Sequence, residues 1–150
     1  MRAINHALTG AVIGLSVGNP IVAVPIALLS HFICDAIPHF GMGEASIKTK
    51  TFRNILVTDA LLCVGLVSFL AIAQPAYWLL AAICAFVAVS PDLLWLPLYK
   101  HAKQGKTYVR KGFYKFAADI QWFERPIGSV VEVAWLGAGL FLVGSLALIW

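Results

Sequence analysis

Charge is what this sequence has least of. Only 12% of its 150 residues are Asp, Glu, Lys or Arg, while 61% are hydrophobic, and the mean hydropathy is +0.86. A soluble domain carries about 25% charged residues, so this chain cannot coat a globular surface exposed to water. Its apolar residues also come in long runs, which points to an all-α membrane protein. Cysteine is scarce as well. Cys34, Cys63 and Cys84 each lie inside an apolar run and form no C-x-x-C pair, which excludes a disulfide framework or a zinc knuckle and leaves them as small apolar residues. No A-x-A cleavage pattern follows the apolar stretch Ala7–Val17, which carries His6 just before it and stops at Gly18-Asn19-Pro20. It reads as a retained first helix rather than a signal peptide. Repeats and low-complexity tracts are absent, and the loops are too short for a second domain, so residues 1–150 form one membrane domain.

Five apolar segments are present, at about 3–17, 21–37, 54–73, 76–96 and 127–150. As helices they would extend roughly 23 to 36 Å, against about 30 Å of hydrocarbon. The first is marginal, either a short span or a re-entrant hairpin with the second. Pro25 and Pro91 would kink helices two and four, and Pro126 suits the opening of helix five. In the loop from Leu98 to Arg125, Val109, Phe113, Phe116, Ile120 and Phe123 recur at helical spacing. This predicts one amphipathic helix over about 108–124, lying in the membrane interface.

The cations fix a topology. All eleven Lys and Arg residues fall at Arg2, between Lys48 and Arg53, or between Lys100 and Arg125. With five spans these places share one side, and the opposite turns carry no charge. The positive-inside rule then places the protein in the cytoplasmic (inner) membrane, N-terminus inside and C-terminus outside.

Six ionisable residues stand inside the apolar runs. Counted from the outer end of each helix, His31 lies about 16 Å deep, His6 about 20, Asp35 and Asp59 about 22, Asp92 about 25 and Glu132 about 27. His39 follows at the cytoplasmic edge. Antiparallel helices thus place their polar residues in one layer of the inner half of the membrane, where such residues usually face a partner, a cavity or an ion. The alternative is that each snorkels to the interface alone, which suits Glu132 and His39 but not the short carboxylate of Asp35.

Helix two carries the sharpest local pattern. His31 and Asp35 are one turn apart on one face, with His39 a further turn on, the spacing by which neighbouring turns hold one metal. Imidazole with carboxylate suits a divalent ion, zinc first, with manganese or iron as alternatives. His6, His31, Asp35, His39 and Asp92 are the candidate ligands. Asp92 could instead cap the helix end freed by Pro91. Asp59, Glu132 and Glu124 are the candidate general bases. For Asp59 the other reading is neutralisation of a loop lysine, for Glu132 an interfacial pair with Arg125, and for Glu124, like Asp119, a solvated place on the amphipathic helix. His101 reads as exposed. The cations between Lys100 and Arg125 would attract anionic head groups or a phosphate-bearing substrate, although topology alone also explains them. Membrane lipids are the expected partners and nucleic acid is not; self-association into a homo-oligomer stays open.

Three motifs carry a resemblance. Asn5-His6-Ala7-Leu8-Thr9-Gly10 resembles the opening T-H-x-x-x-G of the YdjM-like membrane-bound metal-dependent hydrolases. Ser30-His31-Phe32-Ile33-Cys34-Asp35 resembles their S-H-x-x-x-D helix, and Ser90-Pro91-Asp92 their P-D element. Here P-D follows S-H-x-x-x-D rather than preceding it, and the family's H-R-G-x-T-H-S stretch is absent. The resemblance implies an integral membrane hydrolase with these polar positions as metal ligands. Two functions are therefore carried forward: a metal-dependent hydrolase acting on a lipid or phosphoester at the cytoplasmic interface, or a non-enzymatic small transporter, ion-binding or lipid-binding scaffold protein.

Overall fold

The computed structural model describes residues 1–41, 49–95, 104 and 111–149. Among the described residues there are six α-helices: α1 (Ala3–Val17), α2 (Pro20–Ala36), α3 (Lys50–Ala73), α4 (Trp78–Val89), α5 (Phe113–Asp119) and α6 (Ser129–Ile149). Short 3-10 segments, Ser90–Trp95 and Pro126–Gly128, extend α4 and lead into α6.

The helix ends follow local chemistry. Gly18 closes α1 at φ 65°, a backbone that glycine adopts at no steric cost. Asn19 caps α2 by accepting from the Ile21 amide at 3.0 Å, with Pro20 in the first turn. The Thr49 hydroxyl accepts from the Phe52 amide at 3.1 Å and starts α3.

Among the described residues, three helical stretches are long and apolar enough to cross a membrane: Lys50–Ala73, Trp78–Trp95 and Pro126–Ile149. α1 and α2 are apolar but shorter, at 15 and 17 residues. Two expectations change. Pro91 does not kink a continuous α-helix; the chain passes into a 3-10 turn at Ser90, before the proline. The amphipathic helix expected over 108–124 is, among the described residues, only Phe113–Asp119. Beyond it the backbone leaves helical geometry because Glu124 bridges to His39 and the Arg125 amide donates to the His39 carbonyl at 3.0 Å. Residues 108–110, Leu96, Trp150, His101 and the cations Lys48, Lys100, Lys103, Lys106 and Arg110 lie outside the described residues.

The distribution of side chains is inverted relative to a soluble protein. Large apolar residues such as Ile21, Ile72, Phe141 and Leu148 are exposed, whereas Asn5, His6, His31 and Asp35 are buried. Small residues let the helices close on these polar groups. A Cβ on Gly10 would stand 2.3 Å from the Cys84 carbonyl oxygen, and one on Gly14 would stand 2.5 Å from Ala81 Cα. α1 and α4 therefore touch backbone to backbone through Gly10-x-x-x-Gly14, a packing mode typical of helices in lipid. On the same helix, Cys84 and Ala88 receive Ala23 and Ala27 of α2.

Candidate metal centre

The close approach of α1, α2 and α4 decides where their polar residues meet. His6 lies one turn before Gly10, and His31 one turn after Ala27, so both reach the C-terminal end of α4. Their imidazoles stack, with ring centroids 4.1 Å apart at 25°. His31 Nδ1 is 2.8 Å from the Ala88 carbonyl oxygen. A carbonyl can only accept, so Nδ1 carries a proton, and in the neutral imidazole the Nε2 lone pair faces the cluster. That atom lies 3.3 Å from Asp35 Oδ2 and 4.0 Å from Asp92 Oδ1. His6 Nε2 approaches Asp35 Oδ1 to 3.1 Å.

These four residues, His6, His31, Asp35 and Asp92, each offer one ligand atom, and the atoms all lie within 4.8 Å of one another. Two donors on one tetrahedral zinc stand roughly 3.4 Å apart, from bond lengths near 2.1 Å. The observed separations bracket that spacing, so small side-chain movements would close the set on an ion. His6 supplies the independent test of fit. It is fully buried; among the described residues its Nδ1 has no hydrogen-bond partner, while Nε2 meets the Asp35 carboxylate at 3.1 Å. An unsatisfied buried polar group costs about 1–3 kcal/mol, and a cation between His6 and Asp35 would remove part of that cost.

The surroundings hold the four residues in place. Gln121, on the segment following α5, donates to Asp35 Oδ2 at 3.1 Å. The Met1 amino group contacts Asp35 Oδ1. Phe113 and Phe116 of α5 pack on Phe32 of α2, and Trp122 Nε1 donates to the Ala36 carbonyl at 3.2 Å. The segment 113–125 thus covers the C-terminal end of α2.

The remaining candidates lie around this group rather than in it. His39 is buried, but it is not among the four; its Nδ1 donates to the Ile37 carbonyl at 2.8 Å, which leaves Nε2 as the acceptor. Burial holds its pKa below the usual 6.5. Asp59 meets Arg2, taking Nε at 3.0 and 3.1 Å and Nη2 at 2.9 Å. Glu132 accepts from the Arg2 amide at 3.0 and 3.2 Å and from Asn5 Nδ2 at 2.7 Å. Its partner is therefore the first turn of α1, not the expected Arg125. Glu124 is exposed and borders a cavity of about 580 Å³ that also touches His39, Asp59, Asp92 and Gln121.

The sequence assigns Asn5, Arg2 and Gln121 no role at the site, although Asn5 opens the His6 motif and Arg2 is the N-terminal cation. No family model matches the chain, and neither a curated protein nor a solved structure does.

Proposed function

We propose that the protein is a metal-dependent hydrolase of the inner membrane, acting at the cytoplasmic interface on a lipid phosphoester. The observation that carries this reading is the fully buried His6 imidazole, whose Nε2 stands 3.1 Å from Asp35 Oδ1 and whose Nδ1 has no hydrogen-bond partner among the described residues, with His31 Nε2 aimed at the same carboxylate. His6, His31, Asp35 and Asp92 would hold the ion, and zinc suits this mixed imidazole and carboxylate set. When bound, a divalent metal supplies Lewis acidity, acidifying a water and polarising a phosphoryl oxygen.

The chain's own residues account for the rest. The Ala88 carbonyl fixes the His31 tautomer, and Gln121 orients Asp35. Asp59 and Glu132, taken up by Arg2 and Asn5, anchor α1 so that His6 points inward. The proton of an attacking water then has two acceptors at the cavity, His39 Nε2 and the Glu124 carboxylate. His39 is neutral at pH 7 because burial lowers its pKa, which is the state a base requires. The positive-inside distribution of cations supports a cytoplasmic mouth. The motifs shared with YdjM-like hydrolases support the same ligand set.

The test is release of phosphate or head group from phospholipid by purified protein in nanodiscs supplied with zinc. Wild type is expected to be active, with loss in His31→Ala, in Asp35→Ala and on chelation. Equal rates in all preparations would reject the reading. Ion flux in liposomes abolished by Asp35→Asn, without hydrolysis, would favour a transporter instead.

A further inference from the structure

α3 joins the apolar core through its C-terminal half. Its buried residues are Asp59, Leu66 and Leu70, and Leu66 and Leu70 belong to the apolar core around Leu8 and Leu15. Between Lys50 and Cys63 only Asp59 is buried, clasped by Arg2. The cavity of about 580 Å³ occupies the wedge that this leaves between α3 and the C-terminal end of α4. That volume falls within the range of about 300–1,000 Å³ common to small-molecule sites.

The wedge has two chemically different ends. Asp92, a member of the ligand group, lies at its polar mouth with Gln121, Glu124 and His39. Toward the membrane interior its walls become Ala60 and Cys63 of α3 and Val89 of α4. Cys63 lies one turn deeper than Asp59, and Val89 three residues deeper than Asp92. Leu56, Ala60 and Leu93 line the cavity and are also exposed, so it opens sideways onto the apolar surface of the bundle. A water-soluble phosphoester has no use for such an apolar lateral extension.

We infer that this wedge is a lateral entry site for a membrane phospholipid, whose acyl chain lies between α3 and α4 against Ala60, Cys63 and Val89 while its head group reaches Asp92. The inference rests on the proposed reacting centre for the head group, but the chain site stands or falls separately. Arg2 also lines the cavity, beside Asp59.

The experiment uses the full chain in phosphatidylcholine nanodiscs containing a minor fraction of phosphatidylglycerol with a diazirine at the end of its acyl chain. After photolysis, labelling is mapped at the cavity residues Cys63 and Val89 and at Leu61 and Val64, which are exposed on α3 outside the cavity lining. Wild type is expected to label at all four. Ala60→Phe, which fills the wedge, is expected to reduce labelling of Cys63 and Val89 several-fold and to leave Leu61 and Val64 unchanged. Should Ala60→Phe disturb all four positions through misfolding, Leu93→Trp, an obstruction at the exposed lateral opening, decides in the same way. Absence of label at Cys63 and Val89 in wild type, or label there that the folded obstructing variant does not lower, overturns the inference. Asp35→Asn separates the two readings: cavity labelling that survives loss of metal keeps the chain site whatever becomes of the hydrolase.

Discussion

The imidazoles of His6 and His31 stack with their centroids 4.1 Å apart, although they come from different helices and each faces the same carboxylate, Asp35. Two rings in this arrangement repel when both are protonated and cooperate when both offer lone pairs to one cation. The relationship depends on helix packing, on the orientation of Asp35 and on the anchoring of α1, and each of these can be tested.

Gln121 is the only neutral side chain among the described residues seen donating to Asp35. Partners of this kind typically contribute roughly 10–100-fold in metal affinity. Gln121→Ala should therefore weaken zinc binding by a factor in that range without unfolding the protein, as read by competition with a chromophoric chelator. Unchanged affinity would show that Asp35 is oriented by its helix alone.

Gly10 and Gly14 set the spacing of α1 and α4 by backbone contact. Gly10→Val places a branched side chain against the Cys84 carbonyl, and overpacking of this kind typically costs about 1–3 kcal/mol. Thermal unfolding in detergent should occur at lower temperature, and metal should be lost in parallel because His6 moves away from His31. Gly144→Val is the control: a Cβ there meets nothing within 4 Å, and its effect should be small.

Arg2 and Asp59 form an ion pair that is buried on the aspartate side. Removing one member of such a pair typically destabilises by about 3–5 kcal/mol, more than removing both. Arg2→Gln alone should be clearly destabilising, and adding Asp59→Asn should recover part of the loss. A double-mutant cycle with no coupling would contradict the anchoring role.

His39 predicts an acid-side loss of stability. Its folded pKa is lowered by burial, so below the unfolded value of 6.5 the unfolded chain binds more protons than the folded one. The stabilisation present above pH 6.5 is then lost as pH falls through the lower folded value. His39→Gln should flatten this part of the stability profile relative to wild type, measured by thermal melts from neutral to acidic pH. An unchanged acid limb would mean that other groups govern it.

Part of this arrangement was legible in the sequence. The bounds of α1 came from Gly18-Asn19-Pro20, and the pairing of His31 with Asp35 from spacing on one helix. His6 and Asp92 were found by counted depth, since antiparallel helices of known rise fix the level of a residue even when its neighbours are unknown. Depth does not fix azimuth, which is why His39, Asp59 and Glu132 were grouped with the centre although they face Ile37, Arg2 and Asn5. Periodicity overextended the helix at 113–119, because the backbone pairing of 124–125 with His39 is a non-local contact that no window detects.

The central claim is that His6, His31, Asp35 and Asp92 hold a divalent metal. Elemental analysis of the purified protein tests it most directly, comparing wild type with His31→Ala and Asp35→Ala prepared identically. The account predicts near-stoichiometric zinc, manganese or iron in wild type and a large loss in both variants. Equal, metal-free preparations of all three, remaining so after dialysis against these ions, would contradict it.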